Sequence, residues 1–551
     1  MGGGGGGMGE FPGNGTASGP GGAPSGSPFR RRAASSADAE SAPYSSNADD
    51  NTIHETYLWP FYDAVKNGLG AVIPSGRKLG FQGMVWLDVN GQSTAQGSAL
   101  GGEDYGSSSI WSMETMQALL AKGTLSQARL DDMAIRNVIA HYHVGLDDGQ
   151  QPEAQATNAH VDVRANHSAL IRANGAKSLA LLKNTNNALP LSKPRVMSAM
   201  NVQGSGPTCQ GHLASGTGSG QASLPYVIDP HMALSMRAAP EGTMLRWIIN
   251  DTYSSSGSTL IASDATSTSG QVTFENYATG SDVCMVFLNA LSGEGADRAE
   301  LYNADQDAMV NTVADNCNNT VVVVVNAVGP RLVDRWIEHE NATALLYGSV
   351  LGQESGNSIV DVLYGDVNPS ARLTYTIAKN ESDYNVELCY TAQCDFTEGV
   401  YLDYRHFDAQ DITPRYPFGH CLSYTTFAYS SLVVNIHPSV PRTPQGTASV
   451  GGPSDLWDTV GTISARITNN GTCAGAQVPQ LYLSFPEEAG QPARQLRGFE
   501  RVYLERGEEG TVRFESTRRD VSYWSVEAQE WVVAAGKYKV FVGASSRDFR
   551  L

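Results

Sequence analysis

Two acidic side chains, Asp88 and Glu294, stand where folded chains commonly place chemistry. Asp88 ends an apolar run over residues 84–87, inside the stretch GFQGMVWLDVNGQSTAQGSALGG at 80–102. Parallel strands of α/β folds are near-continuous apolar runs, and their C-terminal ends face the ligand crevice. Asn90, Gly91, Gln92 and Ser93 follow directly, so the same Asp could instead cap the next helix. Glu294 lies in LSGEGADR, behind a second apolar run at 283–288 and between two glycines. Taken alone, such a Glu is a solvent-exposed loop residue. Two carboxylates meeting at one cleft can divide a reaction, one attacking as nucleophile while the other gives and takes a proton. Asp297 and Arg298 are expected to form a local ion pair that holds the Glu294 loop.

The elements that must position this pair follow from periodicity. Residues 1–44 are Gly, Ser, Pro and Ala with a basic knot at Arg30, Arg31 and Arg32. That composition cannot bury enough apolar surface to offset ordering entropy and reads as disordered. A segment of mixed strand and helix patterns spans 45–147. Within it Tyr57, Leu58, Phe61 and Val65 have helical spacing, residues 69–74 read as a short strand, and 126–143 as a helix. Thr124 and Gln127 are spaced like a capping box for that helix, and Ile135, Val138, Ile139 and Tyr142 form an apolar stripe read as core. A polar linker covers 148–168. Over 169–429 strands at 283–288, 321–325 and 344–347 alternate with helices at 307–314 and 355–363, which predicts an α/β sandwich with a mostly parallel sheet. The period changes to two over 430–551, where Ile463, Ala465 and Ile467 alternate, as do Val512 and Phe514, between turns at Asn470-Gly471 and Arg506-Gly507. Several short alternating strands in that space predict a β-sandwich.

The order HExYLWPF at 54–61, then GFxGxVxxD at 80–88, then SGEG at 292–295 resembles glycoside hydrolase family 3, in particular its fungal β-glucosidases. GQESGNSIVDVLYGDVNPS at 352–370 and RQLRGFE at 494–500 extend the resemblance into the α/β and fibronectin type III-like parts of such enzymes. The resemblance implies a (β/α)₈ barrel ahead of those two parts, with Asp88 as nucleophile and Glu294 as acid/base. It implies release of terminal β-D-glucosyl residues from cello-oligosaccharides or β-glucosides with retention, which takes carboxylates about 5–5.5 Å apart. A small carbohydrate would be the substrate, and no metal or organic cofactor is implied. A β-xylosidase specificity, or a non-catalytic descendant that binds sugars or a partner, are the alternatives. A closed barrel needs at least about 200 residues, so the roughly 100 available make only a partial one. The family's K-H-F and S-Y-N motifs are absent, Leu87 replaces its usual Ser and Val89 its usual Trp. With those sugar contacts gone, strongly reduced turnover is expected. Arg494 and Arg497 are expected to be salt-bridged surface arginines.

Composition excludes several other classes. The 551 residues carry 56 Asp and Glu against 37 Lys and Arg, a formal charge of −19. Nucleic acid and anionic membranes are poor partners for that balance, because phosphate binding rests on cationic neutralisation. No apolar run reaches the roughly 18–20 residues of a transmembrane helix, and the N-terminus shows no apolar signal-peptide core. Sequons at Asn166, Asn250, Asn318, Asn341, Asn380 and Asn470 nevertheless fit a glycosylated, extracellular protein. The seven cysteines form no disulfide scaffold and no zinc pattern, although Cys389 and Cys394 are close enough in sequence to bridge a short loop.

Overall fold

Long Val-, Leu- and Met-rich runs with no polar alternation can only be strands buried on both faces. The computed structural model describes residues 45–72, 81–86, 92, 94–149, 161–201, 214–215, 224–248, 273–290, 298, 300–389 and 391–551. Its centre is a six-stranded sheet in the order Ala180–Asn184, Ala342–Tyr347, Thr320–Ala327, Val283–Ala290, Val196–Met200 and Met244–Ile248. Five of these strands run parallel, and Ala180–Asn184 is an antiparallel edge. Alternate residues of one strand serve opposite faces, as the strand period of two requires. Val286, Leu288, Val322 and Val324 pack with Met309, Val310 and Val313 of the helix Ala304–Asn316. Met285, Phe287, Val321 and Val323 pack instead with Leu234 of Pro230–Glu241 and Ile359 of Ser355–Leu363. Every residue of Ser355–Leu363 except Asn357 is buried, and Gly356 lies so near the preceding helix that a Cβ there would stand 2.1 Å from the Asp229 carbonyl oxygen.

A disulfide between Cys284 and Cys317, Cα atoms 6.3 Å apart, ties the Val283–Ala290 strand to the residue after Ala304–Asn316. The sequence carries no local sign of it, because the partners meet only once the strand and helix have packed.

The C-terminal part is a β-sandwich. Phe427–Ile436, Thr459–Asn469 and Glu509–Thr517 make one antiparallel sheet, and Gln495–Phe499, Gln480–Ser484, Lys539–Ser545 and Asp548–Phe549 the other. Ile463, Ala465, Ile467, Val512 and Phe514 face Leu481, Leu483 and Val542 between them.

The N-terminal segment contributes two short parallel strands, Ala71–Val72 and Met84–Val85, and several helices. Among the described residues these strands are part of a barrel wall and not a closed barrel. The helix Gln127–His143 starts from Ser126, whose hydroxyl accepts from the Arg129 N–H at 3.2 Å, and not from a Thr124–Gln127 box. Gln127 turns forward and donates to Asp131 at 2.7 Å. Its apolar stripe is also not core: Ile135, Val138, Ile139 and Tyr142 are 61%, 50%, 52% and 63% exposed. The helix turns its polar side inward instead, Arg136 to the Gly83 carbonyl beside the strand, and Arg129 and Asn137 to Asp104.

Ahead of these strands the chain forms a π-helical turn, Ile53–Tyr57, and the helix Trp59–Lys66. Tyr62 and Val65 are its buried residues, while Tyr57 and Phe61 stay exposed. The HExYLWPF motif docks onto the sandwich. The His54 ring stacks on Trp524 with centroids 3.6 Å apart, and Trp59 and Tyr62 meet Trp531 edge-on at 5.6 and 5.9 Å. Arg497 and Arg519 lie over the Trp59 ring at 4.7 and 4.1 Å. Arg497 is therefore no surface salt-bridge partner. It is half-buried and donates to the Asp520 carbonyl and to Gln495 Oε1, and burial pushes its pKa down against the pull of Glu55.

Glu55 is buried in the same interface. Its Oε1 accepts from the Trp524 N–H at 2.6 Å and from Gln491 Nε2 at 3.0 Å, and Oε2 has no hydrogen-bond partner among the described residues. Burial raises its pKa above 4.5, although the Trp524 bond and the Arg497 and Arg405 cations oppose the shift. With the folded pKa above the unfolded one, the native state binds more protons in the window between them, so stability falls as pH rises through it. Glu55→Gln abolishes that titration and is expected to flatten the decline above pH 4.5. Glu55→Ala strips the Trp524 N–H of its acceptor and is expected to lose about 1–3 kcal/mol. Denaturant melts across pH compare the three proteins.

Candidate active site

Asp88 and Glu294 both lie outside the described residues, as do Val89, Asp297 and Asn250. The structure does describe what leads into each acidic segment and what anchors it.

On the Asp88 side, the Met84–Val85 strand is fixed by a buried carboxylate. Asp104 accepts from the Val85 N–H through Oδ2 at 3.0 Å and from Arg129 Nη1 through Oδ1 at 2.8 Å. The Asp104 and Tyr105 N–H groups both donate to the Val85 carbonyl, at 2.9 and 3.2 Å. Arg129 also donates to the carbonyls of Ala99 and Glu103, and Arg136 donates to the Gly83 carbonyl at 2.8 Å. Helix and strand are thus joined by charge-assisted bonds to main-chain atoms, the strongest class of hydrogen bond. Trp86, two residues before Asp88, is 49% exposed and meets the 52%-exposed Tyr105 edge-on at 5.6 Å. Gln92, four residues beyond Asp88, is buried; its Oε1 accepts from the Ser107 N–H at 2.9 Å, and its Nε2 has no partner among the described residues.

On the Glu294 side, the fully buried strand Val283–Ala290 ends four residues earlier, at the C-terminal edge of the parallel sheet. A polar cluster fills that edge. Arg331 donates to Asp307 Oδ1 at 3.0 Å and Gln306 Oε1 at 3.2 Å, while Trp336 Nε1 donates to Asp307 Oδ1 at 3.0 Å. The Tyr347 hydroxyl accepts from the Arg331 N–H at 2.8 Å. Burial pushes the Asp307 carboxyl up in spite of Arg331. Arg298 donates through Nη2 to the Val328 carbonyl at 3.2 Å and the Pro330 carbonyl at 2.9 Å, and burial lowers its pKa. Arg298 therefore ties its loop to the turn after the neighbouring parallel strand. Sequence reasoning missed this role, because main-chain acceptors leave no signature in side-chain spacing.

The remaining candidate positions are spread over the surface. Asn166, Asn318, Asn380 and Asn470 are exposed; Asn341 is half-buried, with its Nδ2 donating to the Ala314 carbonyl at 2.9 Å. Cys389 and Cys394 form a disulfide with Cα atoms 5.9 Å apart. Arg494 pairs with Asp408 at 3.1 Å.

This architecture, a parallel sheet with acid-bearing loops at strand ends and a β-sandwich behind it, matches known proteins along nearly the whole chain. Residues 179–424 match the glycosyl hydrolase family 3 C-terminal domain, and residues 477–546 the fibronectin type III-like domain. The chain is 66% identical over 548 residues to "Probable beta-glucosidase D" of Aspergillus flavus, covering 93% of this chain and 73% of that protein. Its counterpart from Aspergillus niger is 63% identical at the same coverage. The crystal structure of β-D-glucoside glucohydrolase from Trichoderma reesei superimposes with a TM-score of 0.83 at 35% identity, covering 93% of this chain and 76% of that one. A family 3 β-glucosidase from Neurospora crassa does so with 0.80 at 30% identity, covering 93% and 77%. The chain belongs to glycoside hydrolase family 3.

The Asp104–Arg129 tie makes a direct prediction for the Asp88 strand. Asp104→Ala leaves the Val85 N–H without its acceptor and takes from Arg129 one of its two carboxylates, Asp132 at 3.1 Å being the other, and is expected to cost about 1–3 kcal/mol and lower turnover with it. Asp104→Asn keeps an acceptor for Val85 and is expected to lose less on both counts. Thermal melts and aryl-glucoside kinetics on the two variants check the order.

Proposed function

We propose that the chain is a retaining β-glucosidase that releases terminal non-reducing β-D-glucosyl residues from cello-oligosaccharides and aryl β-glucosides. The observation carrying this reading is that each acid-bearing segment follows the C-terminal end of a parallel strand held by buried polar ties. The names of the 66%- and 63%-identical relatives support it.

In the proposed reaction the Asp88 carboxylate attacks the anomeric carbon as Glu294 gives its proton to the departing glycosidic oxygen. The bond to the aglycone breaks and a glycosyl ester forms on Asp88. Glu294, now a carboxylate, takes a proton from water; the water oxygen attacks the same carbon and frees Asp88. The exposed Trp86 and Tyr105 rings supply an apolar wall for a pyranose face, standing in for the tryptophan that Val89 replaces. The protein is exported: its sequons and two disulfides suit an oxidising, glycosylating compartment. No helix among the described residues is long and apolar enough to cross a membrane.

Kinetics with nitrophenyl β-glucosides and cellobiose test the reading. Asp88→Asn is expected to lose on the order of 10³-fold or more of turnover on every substrate. Glu294→Gln is expected to lose about 10²–10⁴-fold on cellobiose and far less on dinitrophenyl glucoside, whose leaving group needs no proton. Wild-type turnover in Asp88→Asn would overturn the assignment. Sugar binding without any turnover by the unmodified chain would leave a binding protein in its place.

A further inference from the structure

A groove of about 550 Å³ crosses the sheet at the end opposite the Glu294 loop. One wall is the loop after the antiparallel edge strand, with Asn186, Asn187, Pro190 and Lys193; Asp282 and Thr343 lie opposite, and Asn318 also lines it. Asp282 and Asn318 precede the strands Val283–Ala290 and Thr320–Ala327, and Thr343 is the second residue of Ala342–Tyr347, so the groove lies at the N-terminal ends of parallel strands. Substrate crevices of parallel sheets lie at the other end.

Both sides of the groove are held in place. In the loop, Asn184 Nδ2 donates to the Leu189 carbonyl at 2.8 Å, its Oδ1 accepts from the Leu189 N–H at 3.0 Å, and the Leu191 N–H donates to the Leu363 carbonyl at 2.7 Å. Across from it, Asn318 sits in a short turn pinned on either side. Cys317 is bonded to Cys284, and Asn319 Oδ1 accepts from the Thr343 hydroxyl at 2.5 Å. The Asn318 side chain is exposed, and its amide makes no hydrogen bond among the described residues. Asn341 contrasts with it on each point, being half-buried with its amide nitrogen committed.

We propose that this groove seats the N-linked glycan of Asn318, its first N-acetylglucosamine residues lying between the Asn186–Lys193 loop and the Asn318 turn. The inference rests on the reading of the chain as an exported protein. The volume suits a short oligosaccharide, since small-molecule sites run to about 300–1,000 Å³. The lining also has the right mixture: amide and ammonium groups for hydroxyl and acetamido oxygens, and Pro190 with Leu191 for an apolar sugar face. A stem fixed by the disulfide-braced turn spares the glycan part of the ordering entropy that free ligands lose on binding. Thr320, the hydroxyl residue of this sequon, is fully buried in its strand and donates to the Cys317 carbonyl at 3.1 Å. The sugar must therefore be attached before the sheet closes, and the fold then forms around its stem.

The full chain, secreted from a yeast host, provides the test by glycopeptide mass spectrometry and endoglycosidase H digestion. Occupancy is expected at Asn318. In the native protein its glycan is expected to be released on the order of tenfold more slowly than those of Asn166, Asn380 and Asn470, with the difference lost on denaturation. Ser192→Trp, which fills the groove from its wall, is expected to bring the Asn318 rate up to the others while the melting temperature shows a folded protein. An empty Asn318 beside occupied Asn166, Asn380 and Asn470 overturns the seat and leaves export standing. So does an Asn318 glycan cut as fast as the rest. Absence of glycan at all four positions overturns both readings.

Discussion

Trp59, held between the guanidinium groups of Arg497 and Arg519, joins the N-terminal segment to the β-sandwich. The segment that leads to Asp88 is thereby fixed to a body more than four hundred residues away in sequence. Buried cations are costly unless they find π faces, carbonyls or carboxylates. Here both arginines find them: Arg519 pairs with Asp63 at 2.7 Å and lies over Trp457, and Arg497 reaches the Asp520 carbonyl. The planar guanidinium can stack on a ring and donate from its edge at once, which an ammonium cannot do. Trp531, in edge contact with Trp59, Tyr62 and Trp524, supplies the apolar centre of the same joint.

From that joint the two acid-bearing segments are reached by different physics. The Val283–Ala290 strand is wholly buried, so its end is located by dispersion and exclusion of water on both faces, and Arg298 with the Arg331–Asp307 pair fixes the loops beyond it. Among the described residues the Met84–Val85 strand has one strand neighbour, Ala71–Val72, and it is located by Asp104 and the helix arginines. One acid thus depends on core packing and the other on a handful of charge-assisted bonds. The sheet also separates its two ends: the Val283–Ala290 strand ends toward Glu294 at one, and the Asn318 groove occupies the other. A glycan there would stand clear of the substrate crevice.

Much of the α/β part could be read directly from the chain. The apolar runs at 283–288, 321–325 and 344–347 are strands because a sheet covered on both faces admits little else, and the helix at 355–363 has the bounds its pattern implied. The sandwich alternation of Ile463, Ala465 and Ile467 was equally plain, since one face is wet and the other dry. What period alone could not reveal was which side of a helix meets its neighbour. The stripe from Ile135 to Tyr142 has the spacing of a core face, yet the side of that helix turned inward carries Arg136, bonded beside the strand, and Arg129 and Asn137, bonded to Asp104. Likewise the HExYLWPF motif looks like barrel sequence and serves an interface with a sandwich more than four hundred residues away. Asp88 and Glu294 were found through motif likeness, because no periodicity marks a reactive carboxylate.

The polar side of the Gln127–His143 helix has a consequence for how the site is built. The hydrophobic effect that buries apolar surface is non-directional. The hydrogen bonds that Val85 gives to Asp104 and Arg136 gives to Gly83 are directional, because their energy falls steeply with angle and distance. A strand that delivers a nucleophile to one atom of a sugar ring needs its register fixed along its length, not merely its burial. Buried carboxylate and guanidinium groups are a costly way to attach a helix, and a defensible one where placement matters more than stability. The exposed apolar stripe on the far side of the same helix follows from that choice: the face that could have packed on the strand was given to the groups that could fix its position.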